Sequence, residues 1–274
     1  MSEIYYINSR NEKIYLDKYP FKMLSETSLF DYEWRYETKR NNKVKNIKKT
    51  TRTATLSVVV SGQTSEEYYQ NIAQLYETLD YDCAIGSPGR LYFGRYYLQC
   101  YFYKGEKPKK YLNVKQSTVS FTVVTDLVNW VKETVTSYRN RQVTGTDVNG
   151  IDYPHDYKHD YMSAIQTVNN TSFYPSDFVL TIYGPCMEPA ITIGENIYMV
   201  HTTLDTGDYL VIDSRNRKIT KVLNDGTHVN EFSKRDKEHY VFKKIMQGIN
   251  PVTWESNFDF DISILDERGE PKWT

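Results

Sequence analysis

Short segments with a strand pattern, separated by turns, fill most of this 274-residue chain, and a single helix pattern stands among them. In the second half, turn residues recur at intervals of about 8–12 residues, as they do in a β-sandwich. Six or so strand patterns with one helix are typical of an α+β or barrel-like domain. We therefore predict a mainly β protein, with a β-rich, barrel-like N-terminal domain that contains one α-helix and a C-terminal β-sandwich.

The N-terminal domain contains the clearest individual patterns. Residues 29–39 alternate aromatic with charged side chains, which predicts a strand with every ring on one face. Thr64 and Glu67 form a T-x-x-E capping box, which predicts a helix over residues 65–79. The remaining strand patterns of this half cover residues 4–8, 13–16, 52–60, 90–93, 96–103 and 112–124.

The composition changes after residue 133. Residues 134–150 are polar, and Asp-Tyr recurs every four residues in DYPHDYKHDY, residues 152–161. We predict a domain at 1–133, a linker at 134–162 and a sandwich at 163–274. The sandwich strands are expected at residues 178–183, 190–193, 196–200, 208–213, 218–223 and 257–265.

The chain has enough large side chains for two cores, since it contains 25 tyrosines, 11 phenylalanines and 4 tryptophans. No run approaches the roughly 18–20 apolar residues that a membrane helix needs, and the N-terminus shows no signal-peptide pattern. A soluble protein made in the cytoplasm is expected. Cys83, Cys100 and Cys186 follow no metal or disulfide pattern, and we expect buried free thiols.

A metal site is suggested at one place only. His155 and His159 would share a face of a helix, with Asp156 and Asp160 beside them, and could hold zinc. Pro154 and the turn-prone Asp-Tyr repeat favour a solvated linker instead. The chain contains no P-loop, nucleotide-binding glycine motif or nucleophile elbow. We predict no catalytic residue, metal or cofactor; a metal-dependent hydrolase would require bound zinc.

A basic run lies between two predicted strands. Residues 1–133 carry 20 Lys and Arg against 15 Asp and Glu, which is too modest an excess for a nucleic-acid-binding domain. The run could contact phosphates, but it has no aromatic residues for base stacking. We predict that it is an exposed loop or an arm that contacts a neighbouring subunit. Its basic residues are Lys39, Arg40, Lys43, Lys45, Lys48, Lys49 and Arg52.

Aromatic residues near the C-terminus leave a second function open. Trp254 and Phe258 fall on the last strands of the predicted sandwich, together with Phe260. An exposed tryptophan on such a face can stack on a sugar ring, which would make the chain a carbohydrate-binding host-adhesion module. Packing of these rings between strands is the alternative interpretation, and we favour it.

Taken in order, several segments resemble the distal tail protein (Dit) family of siphophages and of prophages of low-GC Gram-positive bacteria. None of them is a chemical motif, but together they cover nearly the whole chain. They are IYYINSRNEKIYL (4–16), LFDYEWRYE (29–37), EEYYQNIAQLYET (66–78), PGRLYFGRYYLQCY (88–101), DYPHDYKHDY (152–161), DFVLTIYGPCMEPAITIGENIY (177–198), DYLVIDSRNRKIT (208–220) and NFDFDISILDERGEPKW (257–273).

The resemblance implies a structural protein of the virion, at the distal end of the tail. It implies a homohexameric ring formed by the N-terminal domain, with a galectin-like sandwich projecting outward. Such a ring joins the tail tube to the tail-associated fibre or lysin protein and the baseplate, with receptor-binding proteins as further candidate partners. Tape measure protein and DNA would pass through its channel, and no membrane insertion, enzymatic activity or cofactor is implied.

Overall fold

The computed structural model describes residues 3–107, 114–140, 166–255 and 257–272. The chain forms two compact units: unit 1 comprises Met1–Lys132 and Glu267–Thr274, and unit 2 comprises Glu133–Asp266. The last eight residues therefore belong to unit 1, although the sequence analysis assigns them to the C-terminal domain. Within the described residues, no helix has both the length and the apolar character needed to span a membrane.

Unit 1 is built from antiparallel strands and one helix. Its sheet has the order β2-β1-β8-β9-β10-β7-β4-β3, and β11 also pairs with β9. Strands β5 and β6 pair separately with each other. The bounds are β1 Ile4–Ile7, β2 Lys13–Tyr15, β3 Asp17–Lys18, β4 Phe21–Met23, β5 Arg35–Thr38, β6 Val44–Lys48, β7 Thr53–Ser61, α1 Ser65–Ile85, β8 Gly89–Phe93, β9 Tyr96–Glu106, β10 Gln116–Thr125 and β11 Trp130–Tyr138.

Helix α1 begins where the capping box predicts. The Thr64 hydroxyl accepts a hydrogen bond from the Glu67 amide at 3.1 Å, which satisfies one of the free amides of the first turn. The helix packs Tyr68, Leu75 and Leu79 into the core of unit 1. It ends at Gly86, whose φ of 73° is the left-handed conformation that favours glycine at a helix C-terminus.

The predicted strand over residues 29–39 is wrong for most of its length, since only Arg35–Thr38 is a strand. Asp31 donates its amide to the Ser28 carbonyl at 3.2 Å, which forms a turn before the strand begins. Phe30 alone of the four rings packs inward, stacked on the fully buried Trp130 with centroids 5.7 Å apart. The other three rings, of Tyr32, Trp34 and Tyr36, are exposed.

Unit 2 is a sandwich of two antiparallel sheets. One has the order β20-β19-β18-β13-β22 and the other β12-β21-β15-β16, and alternate residues of both sheets share one core. The bounds are β12 Gln166–Asn170, β13 Asp177–Tyr183, β14 Cys186–Met187, β15 Ala190–Ile193, β16 Asn196–Met199, β17 Thr203–Leu204, β18 Tyr209–Asp213, β19 Lys218–Val222, β20 His228–Asn230, η1 (a 3₁₀ turn) Phe232–Lys234, β21 Gly248–Trp254 and β22 Phe260–Arg268. The predicted mainly β fold is confirmed.

Two local expectations need correction. Residues 134–138 were predicted as linker but form the end of β11, where Tyr138 is buried against the ring of Phe260. The linker residues 141–162, including His155 and His159, lie outside the described residues. Cys100 and Cys186 are buried free thiols as expected, whereas Cys83 is exposed, with its Sγ 3.5 Å from the Phe102 carbonyl of β9. Burial raises the pKa of the Cys186 thiol to about 11.

A turn after β20 gives unit 2 an acid-sensitive contact. Asp236 accepts hydrogen bonds from the amides of Glu238 (3.1 Å) and His239 (3.2 Å), and its carboxylate lies 2.6 Å from His239 Nδ1. These hydrogen bonds lower the pKa of Asp236 from 3.8 to about 2. Folding therefore favours the ionised carboxylate, and this stabilisation is lost as the pH falls from about 4 to about 2.

We expect Asp236→Ala to lower the urea midpoint of unit 2 at pH 7, because the turn loses its acceptor. The difference from the unchanged protein should shrink below pH 4 and be smallest below pH 2, where the carboxyl is mostly protonated in both states. Urea titrations followed by circular dichroism at several pH values would measure it. The exposed Glu238→Ala is the matched control, and an equal, pH-independent loss in both variants would contradict this role for Asp236.

Candidate interaction surface

The strands β5 and β6 form an antiparallel hairpin, residues 35–48, which we call the arm. The Lys39 amide donates to the Lys43 carbonyl at 2.8 Å and closes its turn. Neither strand pairs with any other described strand, and every residue from 31 to 48 is exposed. Since an isolated two-stranded hairpin is at best marginally stable in water, the arm needs another surface to keep a fixed shape.

One face of the arm is apolar. Tyr36 lies opposite Ile47 and, past a shift in register that adds one residue on β6, Thr38 lies opposite Val44. Opposite residues, and residues two apart on a strand, share a face. Tyr36, Ile47 and Val44 are 67%, 61% and 53% exposed. Neighbouring apolar side chains that are exposed and rimmed by polar residues mark interaction sites. The arm is therefore a candidate interaction surface.

The arm also carries most of the predicted basic residues. Among the described residues, none of its cations forms an ion pair; they are Arg35, Lys39, Arg40, Lys43, Lys45 and Lys48. Its one acidic residue, Glu37, accepts a hydrogen bond from Asn46 Nδ2 at 2.9 Å. The arm thus presents a net charge of +5 to solvent.

Lys49 belongs to the base of the arm and not to its exposed part. Its Nζ donates to Asn129 Oδ1 at 3.0 Å and lies 4.8 Å from the ring centroids of both Tyr32 and Trp34. Burial lowers the pKa of Lys49, and the nearby charge of Arg52 lowers it further. Lys49 therefore anchors the arm within unit 1.

Arg52 also has a structural role. Its guanidinium donates to the Leu29 carbonyl at 2.7 Å and to the Ser28 carbonyl at 3.2 Å, and its amide donates to Thr125 Oγ1 at 3.0 Å. Burial lowers the pKa of Arg52. Of the seven predicted arm residues, the structure brings five together on the exposed hairpin and places Lys49 and Arg52 beneath it.

The aromatic residues considered for sugar binding pack within unit 2. Trp254 Nε1 donates to the Phe258 carbonyl at 3.1 Å, and the Trp254 ring meets the edge of the Phe260 ring at 5.1 Å. Phe258 is only 4% exposed, so its ring offers no face to a ligand. These contacts favour the packing interpretation of the three rings.

The described residues contain no group of three or more His, Cys, Asp or Glu side chains that could hold a metal ion. A surface cleft of 390 Å³ in unit 2 is lined by Tyr198, Lys243 and Lys244 among others, and contains no His or Cys. Lys244 donates to Asp177 at 2.7 Å there, which is a surface ion pair at the rim of the sheet.

No protein-family model and no curated protein matches the chain. Solved structures do match it. A chain of the phage P2 baseplate in its activated conformation with Ca has a TM-score of 0.66 and 12% identity, over 98% of this chain and 99% of that chain. The same baseplate with Sr has a TM-score of 0.64 and 13% identity, over 99% of this chain and 100% of that chain.

A third match is the Dit protein of phage SPP1, described as a hub adsorption apparatus of phages that infect Gram-positive bacteria. Its TM-score is 0.58 at 10% identity, over 98% of this chain and 99% of that chain. The chain has the Dit fold. The resemblance that the sequence segments predict is thus confirmed for the fold, and it extends over both units. At sequence identities of 10–13%, the likeness shows a shared fold and not a shared function.

The apolar face of the arm does not follow from the predicted strands. The alternation over residues 29–39 groups Tyr36 with three other rings on one face of a strand, and it predicts no role for Val44 or Ile47. A signal was present: two strand-length segments flank Arg40-Asn41-Asn42, and an Asn in such a turn favours a hairpin. Asn42 indeed adopts a positive φ of 59°.

Proposed function

We propose that this protein is a distal tail protein, a structural hub at the tip of a siphophage or prophage tail. Six copies form a ring through the N-terminal domain, residues 1–133, and the galectin-like sandwich projects outward. The ring joins the tail tube to the tail-associated fibre or lysin protein and to the baseplate. The protein works by assembly and requires no catalytic step, metal or cofactor.

The observation that carries the proposal is the full-length likeness to SPP1 Dit, a hub protein. The match covers 98% of this chain and 99% of that chain, so it includes the strand-rich unit with its helix and the sandwich. A shared single domain would be weak support, because common folds serve many functions. The same two units in the same order along one chain are a stronger basis.

Surface chemistry supports an assembling role. Unit 1 exposes the rings of Tyr19, Tyr32, Trp34, Tyr36 and Tyr103 to solvent, each more than half exposed. Tyrosine and tryptophan combine a large contact area with a polar group, and both are enriched in protein interfaces. The exposed two-stranded arm adds unpaired backbone groups that a neighbouring copy would cover.

The ring also has to let tape measure protein and DNA through its channel. Each phosphate that a channel neutralises raises the affinity for DNA and would slow its passage. A channel of this kind should therefore hold few unpaired cations. We place the basic arm at a contact between protein subunits and not along the channel.

We expect the purified chain to form a ring whose mass is six times the 32.3 kDa of one copy. Native mass spectrometry would give the mass, and negative-stain microscopy would show a central channel. A glycan array run on the same preparation distinguishes the adhesion-module alternative, for which we expect no bound sugar. A protein that stays monomeric at every concentration tested, or that binds a glycan as a monomer, would contradict the proposed hub.

A further inference from the structure

The outer face of helix α1 is acidic and unpaired. The residues that form its exposed stripe recur three or four apart, so they lie on one side of the helix. They are Glu66, Gln70, Ala73, Glu77, Asp80 and Ala84. The whole helix contains five acidic residues and no Lys, Arg or His.

Two of the five acidic residues are used within unit 1. Glu67 accepts hydrogen bonds from the Tyr19 hydroxyl (2.6 Å) and the Gln63 amide (2.8 Å), and Asp82 is fully buried. Glu66, Glu77 and Asp80 are exposed, and among the described residues none of them forms an ion pair. Unit 1 thus has an unpaired cationic hairpin and an unpaired anionic helix face.

We propose that the arm of one copy docks on the outer face of helix α1 of a neighbouring copy. This inference rests on the proposed ring and names the contact that would close it. The apolar face with Tyr36 and Ile47 covers the small residues of the stripe, such as Ala73. The long lysine side chains, which start on the other face of the arm, reach around its edges to Glu77, Asp80 and Glu66. Opposite potentials of this kind orient partners and fix their register.

The dimensions of the two surfaces agree. A helix of 21 residues is about 31 Å long, and a five-residue strand spans about 17 Å, so the hairpin fits along the helix. Ala73 and Ala84 leave room for a bulky side chain from a partner. The apolar face of the arm, which nothing covers among the described residues, would then be buried at this contact.

The contact also accounts for a ring instead of a dimer. In a two-fold dimer the same patch meets itself, whereas here two different patches of the chain complement each other. Contacts of that kind continue from copy to copy and close when the rotation returns to the start. Each copy in the ring would give one arm and receive one.

Charge reversal in the full chain tests the proposal. One variant carries Lys43→Glu and Lys45→Glu on the arm, a second carries Glu77→Lys and Asp80→Lys on the helix, and a third combines all four. The matched control reverses two exposed lysines of unit 2, Lys218→Glu and Lys237→Glu. Native mass spectrometry over a concentration series measures ring formation, and circular dichroism checks that each variant is folded.

We expect the arm variant and the helix variant each to need about tenfold more protein, or more, for half-assembly. The control should assemble as the unchanged protein does. The combined variant should recover most of the loss, because reversed charges face each other again at every contact. Raised salt should weaken assembly of the unchanged ring, since its ion pairs are screened.

Different failures have different meanings. If the unchanged chain forms no ring, the proposed hub is wrong, and this inference falls with it. If the ring forms but both single-surface variants assemble normally, the hub stands and the arm–helix contact is wrong. The contact is also wrong if the combined variant recovers nothing. Retention of duplex DNA by the ring that is lost only in the arm variant would assign the arm to nucleic acid instead.

Discussion

Replacing Asp82 by alanine is expected to lower the free energy of unfolding of unit 1 by about 3 kcal/mol. Asp82 is fully buried on α1. Its carboxylate accepts hydrogen bonds from the Tyr6 hydroxyl and from Ser9, whose amide and hydroxyl lie 2.7 and 2.6 Å away. Hydrogen bonds to a charged group contribute about 1.5–3 kcal/mol each, and the buried Tyr6 hydroxyl would be left without its acceptor.

This carboxylate fixes the first hairpin against the helix. Tyr6 lies on β1 and Ser9 in the turn that follows, while Asn8 in the same turn donates to the Thr78 carbonyl of α1 at 3.4 Å. Gly89 on β8 passes so close that a Cβ there would meet both Tyr6 and Asp82. The position of the hairpin thus depends on groups from three segments, and loss of the shared acceptor affects all of them.

Two further variants calibrate the expected loss. Asp126→Ala removes a carboxylate from an exposed site in unit 1 that lies outside the proposed contact, and should change stability by about 0.5 kcal/mol or less. Asp82→Asn keeps the shape of the side chain and one acceptor oxygen, and its loss of stability should lie between those of the two alanine variants. Urea unfolding followed by circular dichroism measures all three. Equal midpoints for Asp82→Ala and Asp126→Ala would show that the buried carboxylate does not hold the hairpin.

The elements that sequence predicted best are those whose signals are local. The capping box at Thr64 places the start of α1 at Ser65, because one hydroxyl and one amide decide it. The C-terminal end was predicted six residues too early, at residue 79, because the apolar face of the helix pattern ends at Leu79. Gly86, which supplies the left-handed cap, was the better stop signal.

Residues 29–39 show where a sequence pattern fails to predict burial. Alternation indicates which side chains share a face of a strand, but it does not indicate whether a hydrophobic core lies against that face. Tyr36 has the alternation of a core strand, yet its strand pairs only with β6 and stays exposed. Burial depends on strands that lie far away in sequence, and no local pattern reports them. The sequence therefore predicted the arm from its charges and missed its apolar face.

The sequence also predicted part of the candidate site, namely the exposed basic residues of the arm. Five of the basic residues lie on the exposed hairpin because lysine and arginine in a turn-linked pair of short strands remain solvated. Lys49 and Arg52 continue the same run of sequence, but their partners are Asn129 and the carbonyls of Ser28 and Leu29. Those contacts are tertiary, so composition alone could not separate the two roles.

The second large effect is expected in unit 2, where Phe260→Ala should lower the free energy of unfolding by about 3–5 kcal/mol. Phe260 is fully buried on β22. Its ring stacks on Tyr138 at 4.5 Å and an interplanar angle of 13°, and meets Trp254 edge to face at 5.1 Å. Removal of the ring leaves a cavity between two other large rings, which can collapse only in part.

The matched control is Phe173→Ala, the same substitution at a site in unit 2 that is 63% exposed, with an expected loss of about 1 kcal/mol or less.

Trp254→Ala should also destabilise unit 2, because its indole packs on Phe260 and donates to the Phe258 carbonyl. The comparison decides between the two interpretations of these aromatic residues. Replacing a tryptophan whose role is to stack on sugar would change stability little. Replacing one that packs in the core of the sandwich would lower stability. If both variants unfold at the same urea concentration as the control, the rings are not structural and sugar binding becomes the better explanation.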